Sequence, residues 1–214
     1  MLMRPALNSA GRCRFVDLMK RLTRIMVIGA SGSGKSTVAK ALGGALDLPV
    51  VHGDRFYWLP GWVARERVEV KRLFDEAALA DHWIIDGNNS ESMMMRAERA
   101  HLIIYLHLNK YQRMWRVFLR SLRNFGQTRP DMGDGCPERF DREFLFNWVW
   151  KYDQRSKPKM DWFADHWVDK RSVLRLTNAR DISRFTADPI TALKHLGVLD
   201  GLDGCVATRQ KRDP

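Results

Sequence analysis

Short apolar runs recur along the chain at Ile25 to Ile28, Leu48 to Val51, Trp83 to Ile85, Leu102 to Leu106 and Val173 to Leu176, each bounded by polar residues, Gly or Pro. Runs of this length without alternation predict strands buried on both faces. Between them, Lys35 to Leu46, Arg67 to Leu79, Lys110 to Arg123 and Phe140 to Tyr152 carry apolar residues at helical spacing. Strands alternating with helices predict an α/β protein with a parallel sheet covered on both sides. The stretch Gly126 to Pro137 is rich in Gly, Pro and Asp and has no apolar period, so it predicts an exposed, mobile loop and a natural lid.

The first strand leads into Gly29-Ala30-Ser31-Gly32-Ser33-Gly34-Lys35-Ser36, followed by Thr37 and a helix. This is the G-x-x-x-x-G-K-[ST] pattern in the strand-to-helix context that its chemistry needs. The glycines let successive N–H groups turn toward phosphate oxygens, and the helix adds its positive end. Gly29, Ser31, Gly32, Ser33, Gly34, Lys35, Ser36 and Thr37 are therefore the expected contacts to ATP. Lys35 supplies charge to the β and γ phosphates, and Ser36 supplies a hydroxyl to Mg2+.

Ligands of open α/β sheets sit beyond the carboxyl ends of the strands, so acids there are candidates for chemistry. Asp86 follows Trp83-Ile84-Ile85 and is expected to hold the magnesium ion, with turn capping as the bland alternative. Asp54 follows the second strand and is expected to orient or deprotonate an acceptor hydroxyl, again with capping as the alternative.

These residues resemble those of the small P-loop kinases related to adenylate and shikimate kinases, over roughly residues 24 to 186. The likeness is greatest to the DNA topology modulation branch, through His52-Gly53-Asp54, Tyr57-Trp58-Leu59-Pro60-Gly61-Trp62, Asp86-Gly87-Asn88 and Arg129-Pro130. The resemblance implies a three-layer P-loop NTPase fold, a five-stranded parallel sheet in the order 2-3-1-4-5, a small helical lid carrying arginines, and an acceptor site between Asp54 and Asp86. Asn88-Asn89 stands where adenylate kinases carry Phe-Pro-Arg, so AMP is not the expected acceptor. Trp58, Trp62, Asn88 and Arg96 are the expected acceptor-site residues.

Lys and Arg outnumber Asp and Glu by 36 to 25, a net charge of +11 that favours anionic ligands. Arg113, Arg116, Arg120 and Arg123 fall on one face of a predicted helix, opposite Trp115, Phe118, Leu119 and Leu122, which are expected to face the core. Arg116, Arg120 and Arg129 are the expected phosphate contacts during transfer, with Arg139 and Arg155 as further lid candidates. The same stripe would suit a nucleic-acid backbone, the root of a competing reading as an ATP-dependent, DNA-binding regulator. Phe140, Phe144, Leu145, Trp148, Val149 and Tyr152 form another stripe, read as core with a dimer face as the alternative.

Three widely spaced cysteines, Cys13, Cys136 and Cys205, fit neither a disulfide framework nor paired zinc ligands, which makes a reducing, cytoplasmic setting the default. No apolar run nears the ~18 residues of a membrane helix, and no membrane is expected among the partners. Residues 1–18 read as a disordered extension ahead of Met19. Residues 19–200 read as one kinase-like domain with a lid near 110–157, and residues 201–214 as a flexible tail. The expected activity is transfer of the γ-phosphoryl group of Mg-ATP to a small acceptor.

Overall fold

A computed structural model describes residues 22–196. The extension expected at 1–18 and the tail expected at 201–214 lie outside the described residues. The main sheet contains β1 (Arg24–Gly29), β2 (Val50–His52), β5 (Trp83–Asp86), β6 (Leu102–Leu106) and β7 (Ser172–Leu176), all parallel. Their spatial order is β2-β5-β1-β6-β7, which is 2-3-1-4-5 when only these five strands are counted. The second strand runs from Val50, not Leu48, because Leu48 serves the turn that closes the preceding helix, donating its N–H to Gly43 O (3.2 Å).

Alternate residues of each strand build two cores. On one face Ile25, Val27, Ile104 and Leu106 meet Val38 and Leu42 of α1 (Lys35–Leu46), Ile182 and Phe185 of α8 (Ala179–Ala187) and Leu193 of α9 (Pro189–His195). On the other, Met26, Ile28, Ile85 and Tyr105 meet Phe74 of α3 (Arg67–Leu79), Ala97 of α4 (Met93–Arg99) and Phe163 of α7 (Lys157–Trp167). Burial of both faces is what turns the strands into near-continuous apolar runs. Among the described residues no helix is long and apolar enough to cross a membrane.

Three features differ from the pattern reading. Trp58 and Leu59 (β3) pair with Val63 and Ala64 (β4) in a small antiparallel hairpin, after a single turn of helix, α2 (Asp54–Tyr57). Two-residue strands are too short for alternation to register. Residues Phe144–Trp150 form a π-helix, followed by α6 (Tyr152–Arg155). Its wider turn breaks the 3.6-residue stripe: Val149 and Tyr152 are buried, whereas Phe140 and Trp148 are exposed. The third is α5 (Lys110–Arg123), which lies the other way round from expectation. Arg113 is fully buried, while Trp115 and Leu122 are 60% and 57% exposed.

Inward-facing arginines are stable only when bonded. The Arg113 guanidinium donates to Asp153 Oδ1 (2.9 Å) and to Val149 O (3.0 Å), and it lies over the Tyr152 ring. Its partners come from some forty residues downstream, so the local period shows two faces of α5 without showing which one turns inward.

A candidate phosphoryl-transfer site

The carboxyl ends of β1, β2 and β5 converge through backbone bonds. Gly87 N–H donates to Val27 O (3.0 Å), and Gly53 N–H donates to Asp86 O (2.8 Å). These links set the phosphate-type loop, Asp54 and Asp86 around one cleft. The loop leaves β1 at Gly29 with φ +139, where an added Cβ would stand 2.0 Å from Leu106 O, so only glycine lets the chain turn there. At Gly34 (φ +102) α1 begins without a side-chain cap, and its first helical bond is Val38 N–H to Gly34 O. The amides of that first turn are left to a ligand, and a helix start of this kind suits an anion.

Ser33 is used internally: its hydroxyl and its N–H both reach Ala30 O, at 2.7 and 3.2 Å. Lys35 bends back over the loop, with Nζ donating to the same carbonyl (3.0 Å). Burial lowers the Lys35 pKa, as does nearby Arg120, against the opposing pull of Asp54, Asp86 and Asp131. Ser31, Gly32 and Ser36 line the half-buried loop, and Thr37 is exposed.

Asp86 is buried, and its Oδ2 lies 2.9 Å from His52 Nδ1, its neighbour in the β2–β5 register. Its other oxygen makes no hydrogen bond among the described residues. Asp54 is open to solvent at the rim but walled by the cleft. That confinement, with Asp86 nearby, raises its carboxyl pKa against the attraction of Lys35, Arg129 and Arg120.

The segment expected to be an exposed, mobile loop is docked in part, with Gly126, Gln127, Thr128, Pro130, Asp134, Gly135 and Pro137 exposed as expected. Asp131, Met132, Gly133, Cys136 and Glu138 are buried. Gly61 N–H donates to Gly135 O (2.9 Å), Trp62 Nε1 to Pro137 O (2.9 Å), and Cys136 Sγ to Leu59 O (3.2 Å). Gly133 lies so close to Trp58 that a Cβ there would be 2.4 Å from the Trp58 carbonyl oxygen. Its polarity predicts solvent contact; the β3–β4 hairpin instead satisfies part of its backbone. Trp58 and Trp62, edge to face at 5.4 Å, belong to this seam.

Inside the docked segment, Glu138 accepts from Arg129 Nε (2.7 Å), Arg120 Nη2 (3.2 Å) and the Ser121 hydroxyl (2.7 Å). Burial pushes the Glu138 carboxyl up, but Arg120, Ser121 and Arg129 outweigh it and hold the group below its usual range. Arg129 also grips Asp131 Oδ2 (2.8 Å). The Asp131 carboxylate stands beside the Ser36 hydroxyl and 3.9 Å from Lys40 Nζ, so this segment reaches the start of α1. Arg116 Nη1 approaches Ser33 O at 3.4 Å, placing that guanidinium over the loop.

Two expected acceptor residues have structural partners. The Asn88 amide brackets Gly29, accepting from its N–H (2.9 Å) and donating to its O (2.6 Å). Arg96, fully buried, donates to Gly87 O and Asn89 O (both 3.0 Å) and packs 4.6 Å from the Phe74 ring centroid. Burial pushes its pKa down to about 10. Both side chains hold the loop after β5 in place. Arg139 lies over Trp62 and pairs with Asp141 (3.6 Å), and Arg155 lies over exposed Trp148. Sequence reasoning gave no role to His52, Asp131 or Glu138. His52 opposite Asp86 was readable only from the register, and the two acids only from the docking.

The oxygen and N–H groups fit a magnesium nucleotide: an uncapped helix start, the Ser36 hydroxyl, a carboxylate oxygen of Asp86 without a hydrogen bond, and a lysine over the loop. The sequence matches no family profile and no curated protein. Solved structures are similar in fold. Shikimate kinase from Acinetobacter baumannii, in complex with shikimate, aligns with TM-score 0.56 and 15% identity, over 86% of this chain and 97% of that one. A gluconokinase from Sinorhizobium meliloti 1021 aligns with TM-score 0.53 and 16% identity, over 86% of this chain and 97% of the other. These likenesses show that the chain has the three-layer α/β fold with a five-stranded parallel sheet found in shikimate kinase.

Proposed function

We propose that the protein transfers the γ-phosphoryl group of Mg-ATP to a small acceptor bearing a hydroxyl or phosphate. The observation that carries this reading is the convergence of Lys35, Asp54, Arg120 and Arg129 on one cleft beside an uncapped helix start. Phosphoryl transfer asks the protein mainly for positioning and charge balance, and this arrangement supplies both. The amides of Gly32 and of Gly34 to Thr37 hold the β and γ phosphates, and Lys35 adds a positive charge to them. Ser36 and Asp86 hold magnesium, which when bound draws charge from the phosphate oxygens.

Asp54 accepts the acceptor's proton or orients its hydroxyl. Its raised pKa makes it a stronger base than a free carboxylate, while Lys35 and the arginines keep the charged form accessible. Arg116, above Ser33 O, and Arg120, at the mouth, meet the charge that develops on the moving phosphoryl group. Arg129 clasps Glu138 and Asp131, and Gly135, Cys136 and Pro137 bond to the β3–β4 hairpin, so this part of the 110–157 lid covers both substrates. Trp58 and Trp62 wall the acceptor pocket through that seam.

The DNA-regulator reading loses its main support, because three of the four arginines in the row, Arg113, Arg116 and Arg120, bond to the protein's own backbone and carboxylates and Arg123 alone of them is exposed. The test is ADP release from Mg-ATP across a panel of polyols, sugar acids, nucleotides and duplex DNA, with Asp54→Asn in parallel. The proposal expects one small acceptor to raise the rate and Asp54→Asn to remove that rise. A rate indifferent to every acceptor would leave only hydrolysis and sink the kinase reading.

A further inference from the structure

With Arg113, Arg116 and Arg120 turned inward, α5 presents its apolar side to solvent. Tyr111, Trp115, Phe118, Leu122 and Phe125 are 66%, 60%, 41%, 57% and 62% exposed. The first four recur along the helix at spacings of four, three and four, the a/d repeat of a helix seam, and Phe125 follows just beyond the C-terminal cap. The patch continues through ring contacts: Trp115 to Phe118 at 5.8 Å, Phe118 to Phe140 at 5.7 Å and Phe125 to Phe140 at 5.9 Å. With aromatic side chains of about 150–250 Å2, these six residues expose roughly 500–700 Å2, at or above the largest patch an ordinary monomer carries.

We propose that this seam is the interface of a two-fold symmetric dimer, occupied by the same helix of a second copy. The spacing of the four helical residues, four, three and four, is self-complementary about the point midway between Trp115 and Phe118. An antiparallel pairing sets Trp115 opposite Phe118 of the second copy and Tyr111 opposite its Leu122, with the axis between Trp115 and Phe118. The positions flanking the seam at the surface are Gln112, Met114 and Leu119, all uncharged, so no like charges meet there. The exposed apolar area approaches the ~800 Å2 per partner of a standard interface, with this patch as its centre. The two nucleotide clefts stay separate, since Arg116 and Arg120 occupy the inward face of each α5.

Sedimentation velocity over a wide concentration range tests this, comparing the full chain with Phe118→Asp and Leu122→Lys. Both side chains are exposed, so melting should stay unchanged while the dimer dissociation constant rises by about tenfold or more for each. A second arm uses thiol cross-linking in a background with Cys13→Ser and Cys205→Ser. Phe118→Cys should cross-link to its own counterpart, and Arg142→Cys, off the seam, should not. A chain monomeric throughout, a dimer that survives both charged substitutions, or cross-linking only through Arg142→Cys would each overturn the proposal.

Discussion

Replacing Glu138 with Ala separates the electrostatics of the docked segment from its packing. Glu138 is 5% exposed and is the shared acceptor for Arg120, Arg129 and Ser121. Alanine leaves Arg129 with Asp131 alone, and Arg120 loses its carboxylate. Removing one partner of a buried ion pair costs about 3–5 kcal/mol. Arg120 is 29% exposed and recovers part of its hydration, so the lower end, about 3 kcal/mol, is the expected loss. For a chain of this size that corresponds to a melting temperature lower by roughly 6–12 °C.

The pH dependence carries a sign. The folded pKa of Glu138 is depressed, so its contribution is fully present above the unfolded value and is lost as pH falls through the folded one. The gap between the two proteins, followed by circular dichroism, should hold from neutrality down to about pH 4.5 and close below it. A fall of less than about 2 °C at neutral pH, or a gap that stays constant into strong acid, would refute the assignment of Glu138 as the charged hub.

Gly133→Ala places a Cβ 2.4 Å from Trp58 O with backbone on both sides, so the docked segment must move; we expect a loss of about 1–3 kcal/mol in thermal denaturation and faster proteolytic cleavage between 126 and 138. Asp54 has a raised folded pKa, so its charge opposes folding above that value and the cost fades as pH falls through it. Asp54→Asn should therefore melt higher than the parent at neutral pH, with an advantage that shrinks in acid, and the parent's rate profile should show an acidic limb above the ~3.9 of a free aspartate.

Much of this architecture is legible in the chain. The helices over Lys35–Leu46, Arg67–Leu79 and Lys110–Arg123 stand where apolar spacing puts them, and the five sheet strands follow from buried runs. What was lost has identifiable causes. The period of α5 cannot reveal that Arg113 finds Asp153 and Val149 O forty and thirty-six residues on, which is what lets the charged face turn inward. The polar stretch 126–138 reads as solvated because its partners, Leu59 O, Trp62 and the Gly61 amide, belong to a hairpin too short for a pattern. At the site, the glycine loop announces itself by local motif. Asn88 and Arg96, by contrast, hold the backbone of Gly29, Gly87 and Asn89, contacts that only packing reveals.

The central claim is that the loop from Gly29 to Thr37 binds the phosphates of a magnesium nucleotide. Calorimetric titration of ADP and ATP into the protein, with and without Mg2+ and beside Lys35→Ala, tests it most directly. The account predicts saturable binding at one site per chain, tightened by Mg2+ and weakened at least about tenfold in Lys35→Ala, with melting of the free proteins alike. Equal affinity in the parent and Lys35→Ala, or no nucleotide binding in either, would contradict it.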